Sequence, residues 1–282
     1  MQDLYVAMAL MILLSALLGL GAYVLARRLH RTALIALMVF TAGFMIVFTS
    51  WLQDGVWMAR LLPWSALPIL GNWMVPAAGI LVGLAWRQIP GSTFRKGLTL
   101  VPLAGLALYS VYGTVFQHPP VCRDQWVGNY CLQTTHASCS PAAAATLLRI
   151  HNIKATEDEM ALLCLTRPEG TTQHGLYRAL KIKTAGTPWD VEPIRGEVSD
   201  LRDKAPIILS VGVTDANKIG RQYIDEWGWR EGAGHSVVLL KFRPDGYIDI
   251  ADPAATKGVE AWTLTDLHNL WQGEGFRLVR RQ

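Results

Sequence analysis

Four apolar stretches, each about twenty residues long, constrain this chain more than any other feature, because that length matches the hydrocarbon core of a bilayer crossed as a helix. They run from Leu4 to Ala26, Ala33 to Leu52, Leu61 to Trp86 and Leu98 to Phe116, and none has Asp, Glu, Lys or Arg in its interior. The absence of ionisable groups at that depth leaves no ion path or proton relay, so the four are expected to act as an anchor. Pro63, Pro68, Gly71 and Pro76 interrupt the third stretch, and its first turns are expected to lie at the interface. Only Met-Gln-Asp precedes the first stretch, with no basic segment, so it reads as a retained helix and not a cleaved signal.

Charge sets the orientation. The connection after the first stretch carries Arg27, Arg28 and Arg31, and that after the third carries Arg87, Arg95 and Lys96, whereas the second has only Asp54 and Arg60. Basic loops remain on the cytoplasmic side, which places both chain ends outside. The expectation is a multi-pass protein of the cell (inner) membrane, with residues 1–118 as membrane domain and residues 119–282 as an extracytoplasmic domain. The lipid bilayer is therefore a partner.

Residues 1–118 carry seven Lys/Arg and two Asp/Glu, and residues 119–282 carry nineteen and twenty. The near-neutral second half lacks the basic face that nucleic-acid binding requires. Its 164 residues suffice for one core. His118-Pro119-Pro120 closes the last apolar helix, and a loop runs to about Thr135. Ser138-Cys139-Ser140-Pro141 followed by four alanines opens a helix that neighbours can approach closely. Thr156-Glu-Asp-Glu159 reads as a capping box for a second helix to about Leu165, and a third spans Gln173 to Lys183. Beyond Pro188 the period changes: 189–194, 206–213, 235–242, 247–251 and 276–279 read as strands, with a turn at Pro244-Asp245-Gly246 and a short helix at 265–271. Helices followed by an antiparallel sheet make an α+β domain.

Cys139 falls at a helix N-terminus, where the dipole and free N–H groups favour a thiolate. Such a nucleophile needs a base, and the base needs a third group to orient it. His235 begins a strand and Asp252 ends the next. With a two-residue turn, Tyr247 faces Pro244 and Asp252 pairs with Leu239, on the same face as His235 but too far for a hydrogen bond unless a twist or bulge intervenes.

Gln133-Thr-Thr-His-Ala-Ser-Cys139-Ser-Pro-Ala resembles the nucleophile motif of the papain-like cysteine peptidases that process bacteriocin and other double-glycine leader peptides. Gly234-His235-Ser-Val-Val-Leu-Leu resembles the family's His strand, Ile250-Ala-Asp252-Pro253 its Asp-Pro motif, and Trp271-Gln-Gly its closing segment. The resemblance covers about residues 130–282. It implies a papain-like α+β fold, Cys139, His235 and Asp252 as a triad, Gln133 as oxyanion donor, and a peptide or protein substrate without cofactor. Two features depart from the pattern. Ser140 stands where the family has glycine, and no phosphate-binding loop accompanies the domain, so no nucleotide is expected. An acyltransferase or amidase, or a non-catalytic peptide-binding module, stands as the alternative, and oligomeric state is not legible.

His136 is three residues from the thiol and competes weakly with His235 as base, while His151, His174 and His268 read as surface helix residues. Trp227 and Trp229 either line a cleft or close the core edge. No His-Glu-x-x-His or paired Cys-x-x-Cys marks a metal, and no Gly-x-Ser-x-Gly elbow marks a serine hydrolase. In an oxidising compartment, Cys122 and Cys131 are the expected bridged pair, with Cys131 and Cys164 as the alternative.

Overall fold

The computed structural model describes residues 1–116 and 118–281. It divides into two compact units, Met1–Gly55 with Ala66–Gln117, and Val56–Ser65 with His118–Gln282.

The first unit holds α1 (Gln2–Ala26), α2 (Arg31–Val47) running into a π turn at Phe48–Leu52, α4 (Leu67–Leu70), α5 (Met74–Ala85) and α6 (Thr93–Val115); α3 (Met58–Leu61) falls in the second unit. Four spans, Gln2–Ala26, Arg31–Leu52, Leu67–Ala85 and Thr93–Val115, are long and apolar enough to cross a membrane. The proline-rich third stretch is divided, as its breakers require: Leu62 ends α3, and Gly71 and Asn72 separate α4 from α5. Large apolar side chains such as Leu17, Leu20, Phe40, Ile46 and Tyr109 are exposed, which lipid tolerates and water does not. Small residues bring α1 and α5 together. A Cβ on Gly79 would overlap Ser15, and one on Gly83 would overlap the Gly19 carbonyl. Ser15 Oγ donates to Val75 O at 2.8 Å across the same contact. This is the small-residue packing through which membrane helices gain dispersion contact where no hydrophobic drive exists.

The second unit begins in sequence with α3, where Arg60 Nη2 donates to Pro193 O (3.1 Å) and Val56 N–H to Glu274 Oε2 (3.3 Å). After His118 come β1 (Gln125–Val127), β2 (Tyr130–Leu132), α7 (Cys139–Ile150), α8 (Glu157–Leu163), α9 (Gln173–Thr184), β3 (Trp189–Arg195), a 3₁₀ turn at Val198–Leu201, β4 (Ile207–Gly212), α10 (Ala216–Ile219), α11 (Gln222–Asp225), β5 (Gly234–Phe242), β6 (Ile248–Ala251), β7 (Val259–Trp262), α12 (Leu264–Leu270) and β8 (Trp271–Arg280). Helices α7, α8 and α9 precede a six-stranded antiparallel sheet of order β3-β8-β4-β5-β6-β7, and α10, α11 and α12 fall between its strands in sequence. One apolar cluster on the sheet includes Leu209, Val211, Val237, Leu239, Ile250 and Trp262.

Four differences between the sequence reading and the structure have a local reason. The segment before Thr135 holds the β1–β2 hairpin, whose strands are three residues each and too short for an alternation signal. β8 starts at Trp271, five residues earlier than its apolar run, because Trp271 pairs with Val211 and Glu274 with Arg195 on either side of an irregularity that carries no apolar side chain. Only half of the capping box forms: Thr156 Oγ1 accepts from Glu159 N–H, while the Glu159 carboxylate takes Lys183 instead. His174 is 5% exposed, buried in the first turn of α9 and not on the surface.

Candidate active site

α7 places the thiol. Its four alanines, Ala142–Ala145, are fully buried and let the helix lie close against β5. It ends where Asn152 takes the left-handed conformation, with Asn152 N–H on Arg149 O and Ile153 N–H on Leu148 O, the paired bonds of a Schellman stop. At the other end Cys139 is the first helical residue, so its own N–H belongs to the donors a helix leaves unpaired within itself. Pro141 sits in the first turn, where its missing N–H costs no ladder bond. Of the four cysteines, Cys139 alone is partly exposed.

The sheet places the imidazole and carboxylate. His235 Nε2 donates to Asp252 Oδ1 at 2.7 Å, with their side chains 17% and 9% exposed. The missing distance in the straight-ladder reading is supplied twice over. The β5–β6 loop has three central residues, since Arg243 N–H bonds Tyr247 O and Gly246 adopts φ +89°. A bulge then shifts the register between Leu239 and Lys241. Each shift moves β6 by one residue, so Ala251 pairs with Val238 and not with the residue two positions further along. Two shifts preserve the face and bring Asp252 to His235. Asp252 Oδ1 also accepts from Ala254 N–H at 2.8 Å, which fixes the carboxylate.

With Nε2 committed to Asp252, the opposite ring nitrogen is left for the thiol, and the Cys139 side chain lies within reach of His235. Burial alone would hold His235 neutral. The Asp252 hydrogen bond and the Cys139 contact outweigh it and carry the imidazole up to about 10. Burial likewise opposes the Cys139 thiolate, and hydrogen bonding and charge attraction from His235 overcome it, so the thiol lies below its ordinary value. The pair favours thiolate and imidazolium together, the combination that makes a nucleophile and a proton donor of two neighbouring side chains.

Gln133 enters from β2. Its backbone N–H bonds Pro253 O at 2.9 Å, which ties it to the segment that carries Asp252. Its side chain Nε2 donates to Thr135 O at 3.1 Å, leaving a second N–H, and its buried Oε1 has no partner. The next residue is clasped from below: Thr134 N–H and Oγ1–H donate to the two oxygens of Glu157, at 2.7 and 2.8 Å, and Glu157 is fully buried.

The remaining sequence candidates divide. Trp229 stands edge-on to the His235 ring at 5.8 Å and to Trp262 at 6.0 Å, whereas Trp227 is half-exposed against Tyr223. His136 hydrogen-bonds Pro168 O and is exposed. The expected bridge is absent: Cys122 and Cys131 are both buried free thiols, and each sulfur lies at a carbonyl beside it in sequence, Pro120 O and Leu132 O. Burial with the nearby Glu157 carboxylate pushes Cys122 up to about 11 and Cys131 further, and burial raises Cys164 as well. Among the described residues no cluster of His, Cys, Asp and Glu fits a metal ion. Sequence reading missed Glu157, which it read only as part of a cap, and the hydrogen bond between Ser140 and Ser236.

A buried helix N-terminus bearing a thiol, set beside an antiparallel sheet that carries a His and its carboxylate, defines the papain-like class of α+β domain. Residues 127–277 match the Peptidase_C39 like family, and the chain belongs to that family. An uncharacterized protein of Methanothermobacter marburgensis is 40% identical over 122 residues, covering 43% of this chain and 69% of that protein. One from Methanothermobacter thermautotrophicus is 35% identical over 83 residues, covering 29% and 56%. Among solved structures, the peptidase domain of Streptococcus ComA, a bi-functional ABC transporter, is similar at 18% identity and TM-score 0.42, covering 53% of this chain and 96% of that one. A double-glycine-motif protease from an AMS/PCAT transporter, in complex with its leader peptide, is similar at 16% identity and TM-score 0.41, covering 59% and 97%.

Proposed function

We propose that this chain is a membrane-anchored thiol endopeptidase that cleaves a peptide or protein outside the cytoplasm. The observation that carries the reading is one imidazole that is bonded to Asp252 at 2.7 Å and lies within reach of the Cys139 thiol at a helix N-terminus. Cys139 attacks the scissile carbonyl, and the charge on the carbonyl oxygen is met by the Cys139 N–H and the free N–H of Gln133 Nε2. Donors of this kind each contribute on the order of 10²–10³ in rate. His235 passes its proton to the leaving amine, and the thioester left on Cys139 is then hydrolysed by water that His235 deprotonates. Asp252 holds the ring in place through both steps.

The four apolar spans supply the anchor, and the basic first and third connections favour an extracytoplasmic domain. The purified chain is incubated with a diverse peptide mixture, and cleaved products are identified by mass spectrometry. New termini should form with the wild type and be absent with Cys139→Ala. Identical products from both proteins, or none from either, would remove the peptidase reading and leave a peptide-binding module. Protease added to intact spheroplasts should digest the domain after His118; protection until the membrane is opened would reverse its orientation.

A further inference from the structure

Ser140 is the second residue of α7, and Ser236 follows His235 in β5; each is 5% exposed. Their hydroxyl oxygens lie 2.8 Å apart. One hydrogen bond thus joins the residue after the thiol to the residue after the imidazole, on two elements that meet only through tertiary packing. Two hydroxyls carry two protons, and the bond between them uses one. The second needs an acceptor in a buried site. The Cys139 side chain is within hydrogen-bonding reach of the Ser140 hydroxyl and the Ser236 N–H, as well as of the His235 ring.

Either hydroxyl can donate to the other, and the order that uses both protons toward the sulfur has Ser236 Oγ–H donating to Ser140 Oγ and Ser140 Oγ–H donating to Cys139 Sγ. We propose that Ser140, braced by Ser236, is a positioning residue that donates its hydroxyl to the Cys139 thiolate and holds the sulfur in its reactive form. The proposal rests on the reading of Cys139 as nucleophile. A hydrogen bond to the charged form of an acid favours that form, and a glycine at this position would offer no donor. The titratable groups around the sulfur are His235 from β5, Asp252 acting through His235, and the buried Cys164 at the end of α8, which burial keeps neutral.

The full chain is treated with iodoacetamide over a range of pH, and modification of Cys139 is followed by peptide mass mapping. In the wild type the rate should fall along an acid limb set by protonation of the thiolate. Ser140→Ala and Ser140→Gly should move that limb up by about one pH unit, as expected for loss of one donor to a charged sulfur. Ser236→Ala should move it by less, because Ser140 remains but loses its brace, and Ser140→Thr should restore the wild-type midpoint. A purely structural role would change the plateau rate and not the midpoint. An unmoved midpoint in both Ser140→Ala and Ser140→Gly overturns the proposal while leaving Cys139 as nucleophile. Absence of any acid limb in the wild type removes the nucleophile reading and this proposal with it.

Discussion

Replacing Glu157 should loosen the segment that carries Gln133, and the size of the effect follows from two bonds. The Glu157 carboxylate is fully buried and accepts from Thr134 N–H at 2.7 Å and Thr134 Oγ1–H at 2.8 Å. Glu157→Ala leaves both donors without an acceptor, at about 1–3 kcal/mol for each buried unsatisfied group, so the clasp weakens by about 2–6 kcal/mol. Arg123 N–H also donates to Thr134 Oγ1, so that hydroxyl has little freedom to find another partner. Glu157→Gln retains one oxygen for the Thr134 N–H and should lose about 1–2 kcal/mol. Hydrogen exchange of the full chain reads the difference directly. The peptide spanning residues 131–135 should exchange roughly 30-fold faster or more in Glu157→Ala, the equivalent of about 2 kcal/mol. The effect should be smaller in Glu157→Gln, and α6 should be unchanged in both. If that peptide exchanges at the wild-type rate in Glu157→Ala, the carboxylate is not what holds the segment.

Asp252→Ala should lower kcat by roughly 10²–10⁴-fold and move the alkaline limb of the pH–rate profile down from about 10, since the Asp252 bond is the largest influence raising His235; an unmoved limb would assign it to another group. Stability should vary with pH through the same pair. The raised His235 contributes stability that is complete below its ordinary value of 6.5 and is lost as pH rises through about 10; the lowered Cys139 contributes stability present above 9.0 and lost as pH falls through its depressed value. The two slopes oppose one another between the depressed Cys139 value and 9.0, and above 9.0 only the His235 slope remains, so the difference in unfolding stability between wild type and the Cys139→Ala/His235→Ala double variant should shrink between pH 9 and about 10. A difference that does not shrink there would contradict the sign. In the first unit, Gly83→Leu should separate α1 from α5, because even a Cβ there overlaps the Gly19 carbonyl; unchanged thermal stability in detergent would show that this contact is dispensable.

How much the sequence disclosed depended on how local each determinant is. The apolar stretches, the alanine-rich helix with Cys139 at its start, and the strands beginning at His235 and ending near Asp252 all follow from periodicity, capping and turn residues over a few positions. The distance from His235 to Asp252 was not legible, because it depends on Gly246 adding a loop residue and on a bulge between Leu239 and Lys241. The bulge leaves no signature in its own residues, and Pro244-Asp245-Gly246 fits a turn of either length. The same holds for Glu157, whose place in a Thr-x-x-Glu cap concealed a carboxylate turned toward Thr134, and for Ser140 and Ser236, which are 96 positions apart. Short strands such as β1, β2 and β7 escaped notice because three or four residues carry almost no period.

The central claim, that Cys139 and His235 form a reactive thiol–imidazole pair, is tested most directly by labelling the purified protein with iodoacetamide at about pH 6, where an ordinary thiol is almost wholly protonated. Peptide mapping should find one adduct, on Cys139, with Cys122, Cys131 and Cys164 unmodified, and His235→Ala should abolish that adduct. An unmodified Cys139 in the wild type, or an adduct that forms equally fast without His235, would contradict it.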